Sequence, residues 1–351
     1  MDGSTTFVRL GIAVAFVAAL WAPVASAQKW SRVAPFPEAS EELYGIASGG
    51  KLYVFGGLAP GWTPKGLVYE YDPASDQWTK KKNMPLPSHH LGLAEIKGKI
   101  YVIGGFTKPA SGPTAWVPID NVWEYDPAAD SWKALAPLPV KRGAPAAVVY
   151  NGKIYAIGGA GLHPGSKETV VHPARPHRSL SSNDVYDPAS DKWESRQPMP
   201  TARNHGAIGV VNNKIYYIGG RIGAAFITRA SNTGIVEEYD PQTDQWGALK
   251  AGMPTPRSAV AWGTWKGLIY VAGGEERSDG PWQKTFRAVE AYDPAANRWH
   301  QLPSMEFPRH GMAGDIINGR FHLVSGDAAS GGAPGTHIDT DVHEVLDIEG
   351  K

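Results

Sequence analysis

Glu275 directly follows Gly273-Gly274 and leads into Glu276-Arg277, which places a carboxylate two residues from a guanidinium in one short stretch. A carboxylate held beside a guanidinium can take a proton from one oxygen and return it to another, the elementary need of general acid–base catalysis. Arg287 offers a more distant guanidinium for the same task, and an exposed loop ion pair of little energetic value is the plain alternative. A second arrangement is larger. Counting back sixteen residues from Gly158, Gly219, Gly273 and Ser325 reaches Arg142, Arg203, Arg257 and Arg309; from Gly56 and Gly104 it reaches Ser40 and Ser88, the latter followed by His89 and His90. Four guanidiniums around one opening, with His90 nearby, would clamp a carboxylate or phosphate through paired hydrogen bonds. The alternative is structural, with the guanidiniums bonded to backbone carbonyls. Either way, burying four like charges requires that acids meet some of them.

Trp62, Trp116 and Trp282, with Phe106, Phe226 and Phe286, could stack on a sugar ring or anchor a protein interface, although packing under neighbouring loops would also account for them. His337, Asp339, Asp341 and His343 alternate, so a strand would project all four from one face. The outermost pair lies too far apart along a strand to share one ion, which leaves two or three ligands at most. No metal and no cofactor is assigned on that basis. The stretch 160–182 adds His163, His172, His177, Arg175 and Arg178 among Pro and Ser, and reads as a solvated basic flap. There is no cysteine, which excludes disulfides, thiolate metal centres and thiol nucleophiles. Lys plus Arg and Asp plus Glu both number 34, so no bulk charge draws the chain to nucleic acid or to a membrane surface. Gly-x-Ser-x-Gly, a phosphate loop and His-Glu-x-x-His are all absent.

The elements that must position these residues recur. Gly-Gly pairs begin at Gly56, Gly104, Gly158, Gly219 and Gly273, with Ser325-Gly326 as a degenerate sixth. Each intact pair is followed by Tyr-Asp-Pro, at Tyr71, Tyr125, Tyr186, Tyr239 and Tyr292, and then by a tryptophan six residues after the Asp, at Trp78, Trp132, Trp193, Trp246 and Trp299. A period near fifty residues marks a repeat architecture. These motifs resemble the kelch repeat of the secreted bacterial type, and the resemblance covers nearly everything after residue 27. It implies an all-β fold, a six-bladed kelch β-propeller with one four-stranded blade per repeat. In that family an arginine at the Pro-x-x-Arg connection can bond carbonyls between blades.

Within a repeat the small residues Gly45, Gly92, Ala146, Gly206, Ala259 and Gly311 place the first strand innermost, where six strands crowd one axis. Trp30-Ser31-Arg32-Val33 looks like a fourth strand, whereas the stretch from Asp341 to Leu346 looks like a third strand with no fourth after it. The N-terminal strand is therefore expected to complete the last blade and close the ring. An antiparallel meander then puts short turns on one face and the long loops 58–66, 106–120, 160–182, 221–234, 275–287 and 327–340 on the other, which is the expected working face. The arginines are expected at the mouth of the channel on that face.

Arg9, the apolar run 10–24 and Ala25-Ser26-Ala27 have the three parts of a secretory leader, so residues 1–27 read as a signal peptide and 28–351 as the propeller. The mature protein is expected to be periplasmic or secreted and monomeric, with no membrane insertion once the leader is gone. The stretch Glu275 to Arg277 is also similar to that of periplasmic N-acetylneuraminate mutarotases. That resemblance implies Glu275 and Arg277 as catalytic residues of an acidic-sugar mutarotase, with the Arg closer to the Glu here than in that family. Galactose oxidase shares the propeller, but its copper site needs a tyrosine cross-linked to cysteine, so copper radical oxidation is excluded here. The leading expectation is a binding module for an anionic sugar or a carboxylate-bearing protein segment, through Arg142, Arg203, Arg257, Arg309, His90, Trp62, Trp116 and Trp282.

Overall fold

The computed structural model describes residues 1, 28–112, 115–162, 170–171, 178–223, 231–276, 284–329 and 337–350. These form strands and connections with no helix, arranged as six four-stranded sheets plus four short two-stranded ribbons. Each sheet is one blade of the expected propeller. The innermost strands are Glu41–Ser48, Gly92–Ile96, Ala146–Tyr150, Ala207–Val211, Ala261–Trp265 and Ala313–Ile317. They surround a central cavity of about 230 Å³ that spans the middle of the channel and its short-turn end, with Tyr44, Leu93, Trp262, Thr264 and Asp315 in its wall. Small residues on these strands are a steric demand. A Cβ on Gly45 would come within 2.7 Å of the Gly314 backbone, in the innermost strand of the adjacent blade.

The ring closes as the repeat pattern implies. Lys29–Arg32 pairs antiparallel with His343–Asp347, Trp30 opposite Leu346, so the last blade takes its outer strand from the start of the chain. The repeated motifs are the stitches between blades. The Tyr71 hydroxyl donates to Asp76, which also accepts the Ala34 amide of the preceding blade's outer strand. Asp130, Asp191, Asp244 and Asn297 repeat that double bond in the next four blades. The repeat tryptophans donate backwards too, Trp132 to the Lys82 carbonyl and Trp246 to that of Gln197, with Trp30 doing the same to Pro303 at the seam. They are packing residues, as the repeat demands.

The Gly-Gly pair is explained at Gly273-Gly274. Gly273 has φ +60, and a Cβ there would stand 2.6 Å from the Arg309 carbonyl, which the Gly274 amide needs as acceptor at 2.9 Å. Glycine makes that backbone approach without a clash or a strained φ. The seam uses the same stitch, Gly326 to the Ser40 carbonyl at 2.9 Å. A chain beginning at Pro35 is therefore expected to lose a full strand ladder and to melt roughly 10 °C lower. An unchanged midpoint in a calorimetric scan would show that the seam carries no stability.

Candidate functional site: the loop-side centre

Three consecutive residues stand at the entry of each innermost strand, the last two already within it in the first blade, and they face in different directions. The first is the arginine position. Arg142, Arg203, Arg257 and Arg309 are fully buried, and each points into its own blade toward a carboxylate on the third strand: Asp184 at 2.8 Å, Glu237 at 2.6 Å, Glu290 at 2.5 Å and Glu344 at 2.9 Å. Arg257 also donates to the backbone carbonyls of Val271, Thr255 and Gly273, whereas Arg142 Nε and Arg309 Nε and Nη1 meet no partner among the described residues. The expected convergence on the channel mouth is thus corrected: acids within the same blade neutralise the guanidiniums, which leaves them structural. Ser40 and Ser88 stand at this position in the first two blades, and there the acid is replaced by Tyr69 and Trp123.

The second position pairs with the residue after each Gly-Gly: Glu41 with Leu58, His89 with Phe106, Gly143 with Ala160, Asn204 with Arg221, Ser258 with Glu275 and His310 with Asp327. The third position has positive φ in all six blades, at Glu42, His90, Ala144, His205, Ala259 and Gly311. This left-handed turn brings the third residue to the axis, where the Leu43 amide bonds the Gly311 carbonyl, Ala144 that of His90, and Ala259 that of His205. Because Ala144 is small, the rings of His90 and His205 meet across it with centroids 4.6 Å apart.

The centre has two unlike halves. In the first three blades the residue after Gly-Gly is apolar, and Leu58, Phe106 and Ala160 pack with Trp62, Trp116 and Val171 into one buried cluster. Trp116 stacks on Phe106 at 5.5 Å and touches His90 at 4.9 Å, and Trp62 meets Trp116 edge-on at 6.5 Å. In the last three blades that residue is Arg221, Glu275 or Asp327. Arg221 pairs with Glu275 at 3.2 Å; His310 lies 3.7 Å from Glu275 and 3.6 Å from Glu41; His337 bonds Glu41 at 2.8 Å and Asp327 at 3.0 Å. His90 reaches Glu42 at 3.2 Å and joins the two halves.

Burial, with repulsion from Glu41 and Glu275, lifts the Glu42 carboxyl to about 8. Burial opposes charging of His310, yet the carboxylates of Glu275 and Glu41 outweigh it and hold that histidine above its ordinary value. Hydrogen bonds to Asp327 and Glu41 raise His337 to about 10. Burial alone, with no acid in reach, drops His89 to about 3.

Of the residues picked out by sequence, Glu275, His90, Trp62 and Trp116 meet here. Arg277, Trp282, Phe226, His163, His172, Arg175 and His177 lie outside the described residues, and Arg178 donates to the Leu162 carbonyl. Arg287 is exposed and donates to the Met305 carbonyl, so it does not serve Glu275. The alternating set divides because only His343–Asp347 is a strand. His337 and Asp339 turn to the centre, Asp341 is exposed, and His343 is buried against His322 at the seam. Glu41, Glu42, Arg221, His310 and Asp327 were missed. Their signal was available: they are the residues one and two places after the arginine position or immediately after the Gly-Gly.

The family described as the KLHDC2/KLHL20/DRC7 Kelch-repeats domain matches residues 16–220, and the Kelch motif matches 202–246 and 256–306. The chain belongs to the kelch-repeat family. Kelch-like protein terF of Aspergillus terreus is 28% identical over 293 residues, 81% of this chain and 60% of that protein. Kelch-like protein 36 of Rattus norvegicus is 28% identical over 284 residues, 79% of this chain and 42% of that one. The chain thus spans about half the length of these relatives. A solved structure titled Structure of YjhT superposes with a TM-score of 0.69 over 90% of this chain and 97% of that one, at 19% identity, a likeness of fold alone.

Proposed function

We propose that this kelch propeller is an exported binding module that takes a sugar ring at its loop-side centre, between the Trp62–Phe106–Trp116 wall and the ionisable half around Arg221 and Glu275. The repeat itself supplies the supporting comparison. At the position after Gly-Gly the fold is satisfied by Leu58, Phe106 and Ala160, so it does not require Arg221, Glu275 and Asp327 in the other blades. Burying ionisable groups costs stability, and a cost that the scaffold does not need points to a ligand. Aromatic faces beside carboxylates and a guanidinium match a sugar, which presents an apolar face and a rim of hydroxyls. A protein segment bearing a carboxylate would meet the same Arg221 and Glu275, and among the described residues the exposed Phe307 and Ile338 line one groove that such a segment could also use. With the four arginines of the blades neutralised, an acidic substituent would depend on Arg221. Export is the reading of residues 1–27, which precede the first blade.

The deciding experiment is a thermal-shift screen against neutral, acidic and amino monosaccharides in the presence of chelator. A bound sugar at about one hundred times its dissociation constant raises stability by roughly 2.7 kcal/mol. Trp116→Ala should weaken the binding sugar by roughly tenfold, while Arg257→Lys should leave affinity unchanged. If no sugar moves the midpoint, the reading fails. A second reading, an acidic-sugar mutarotase, is favoured by the burial of Glu275 against Arg221 at the centre. It requires that the chain speed anomer exchange followed by NMR and that Glu275→Gln abolish the acceleration.

A further inference from the structure

We propose that Glu41, Asp327 and His337 form a binding site for a divalent first-row transition metal at the edge of the loop-side centre, with the Asp339 carboxyl beside it. The three side chains come from opposite ends of the chain and meet only because the ring closes. Their ligand atoms lie within 4.8 Å of one another. The distances from His337 Nδ1, 2.8 Å to Glu41 Oε1 and 3.0 Å to Asp327 Oδ2, match neighbouring ligands of a six-coordinate ion at ~2.1 Å, which stand ~3 Å apart.

An ion pair alone leaves this pocket unbalanced. One imidazole faces three carboxyl groups, those of Glu41, Asp327 and Asp339, and a second triad of Glu41, Glu42 and His310 shares the Glu41 carboxylate. One nearby buried atom also lacks a hydrogen-bond partner among the described residues, Asp339 Oδ1, and the His337 side chain is only 10% exposed. In the third blade the backbone positions of Glu41 and Asp327 are held by Gly143 and Ala160, and in the first Leu58 stands at the Asp327 position, so the fold itself does not call for carboxylates there. The mixture of one imidazole nitrogen with carboxylate oxygens suits manganese to zinc better than magnesium or calcium. On binding, the ion replaces the proton that His337 Nδ1 shares with the two carboxylates, and one proton is released to solvent for each ion bound.

The site stands whether or not a sugar binds, and it is measured without one. The purified full chain is stripped with chelator and titrated by calorimetry with zinc and with manganese, using His337→Gln, Asp327→Asn and the surface variant His300→Gln. One ion per chain is expected, with affinity lowered at least roughly tenfold by His337→Gln and by Asp327→Asn and unchanged by His300→Gln. Should either inner variant fail to fold, pulsed EPR of manganese on the wild-type chain decides instead, because a bound imidazole nitrogen modulates the electron spin echo. Absence of saturable binding below about 1 mM, affinity that survives His337→Gln, or an echo without nitrogen modulation would each overturn the proposal.

Discussion

Arg203→Ala is expected to destabilise the propeller by roughly 3–5 kcal/mol, because it leaves the Glu237 carboxylate buried without its counter-charge. Arg203 donates to Glu237 at 2.6 Å, to the Gly219 and Ile235 carbonyls at 3.1 and 2.7 Å, and lies 4.7 Å over the Tyr217 ring. Its Nε also donates to the Thr201 carbonyl at 3.2 Å, so removing it orphans one charge and three carbonyls. The paired change Arg203→Met with Glu237→Leu should recover most of the loss, because an apolar pair of similar volume leaves no charge to desolvate. Urea unfolding of the two single variants and the double variant gives the coupling directly. Sugar affinity per folded molecule should be untouched. An Arg203→Ala chain with wild-type stability and no ligand binding would return the arginines to the functional site.

Below pH 6.5 the protein should lose stability through three buried histidines, His89, His322 and His343. Burial holds His322 at about 3 and His343 well below its ordinary value, with Arg320 adding to both and Arg309 to His343, while the Ala34 carbonyl opposes the shift at His343. The two rings share one hydrogen bond at 3.0 Å, and His343 packs 4.5 Å from Tyr71, at the seam between the last blade and the first. The sign follows from proton counting. The unfolded chain binds protons near pH 6.5 and the folded chain does not, so the contribution is complete above 6.5 and falls away as pH drops toward the folded values. At pH 5 each such histidine costs roughly 2 kcal/mol. The carboxyls raised by burial, Glu42 to about 8 and Asp315 and Asp339 to about 6, titrate in the opposite sense and offset the histidines, so the informative quantity is a difference between chains. Between pH 7.5 and 5, wild type should lose roughly 2 kcal/mol more than His322→Leu in denaturant midpoints. Equal losses would mean that His322 is not the acid-sensitive element.

Much of this was legible without coordinates. The arginine position and the acid two residues before the repeat tyrosine change together: Arg142 with Asp184, Arg203 with Glu237 and Arg257 with Glu290, against Ser40 with Tyr69 and Ser88 with Trp123. Read across repeats, that covariation already marks the arginines as half of a pair inside each blade. What misled was their location. Lying just before the innermost strand, they are near the channel in the sequence, but consecutive residues of extended chain face opposite ways. The arginine goes outward into the blade, and it is the left-handed third residue that reaches the axis.

The order of blades, their number, their register, the stitches of Gly-Gly, Tyr, Asp and Trp, and the closing of the ring by Trp30 are therefore properties of the sequence. Each rests on contacts within a repeat or between adjacent repeats, and such contacts leave a periodic trace. The composition of the loop-side centre was decided only by the tertiary structure. Glu41 stands almost three hundred residues from Asp327 and His337, and Phe106 and Trp116 more than one hundred from Arg221. These residues become neighbours through rotation about a common axis, which brings equivalent positions of six blades together whatever their side chains. Periodicity can name the positions that meet, but it says nothing of why one half of the circle is aromatic and the other charged.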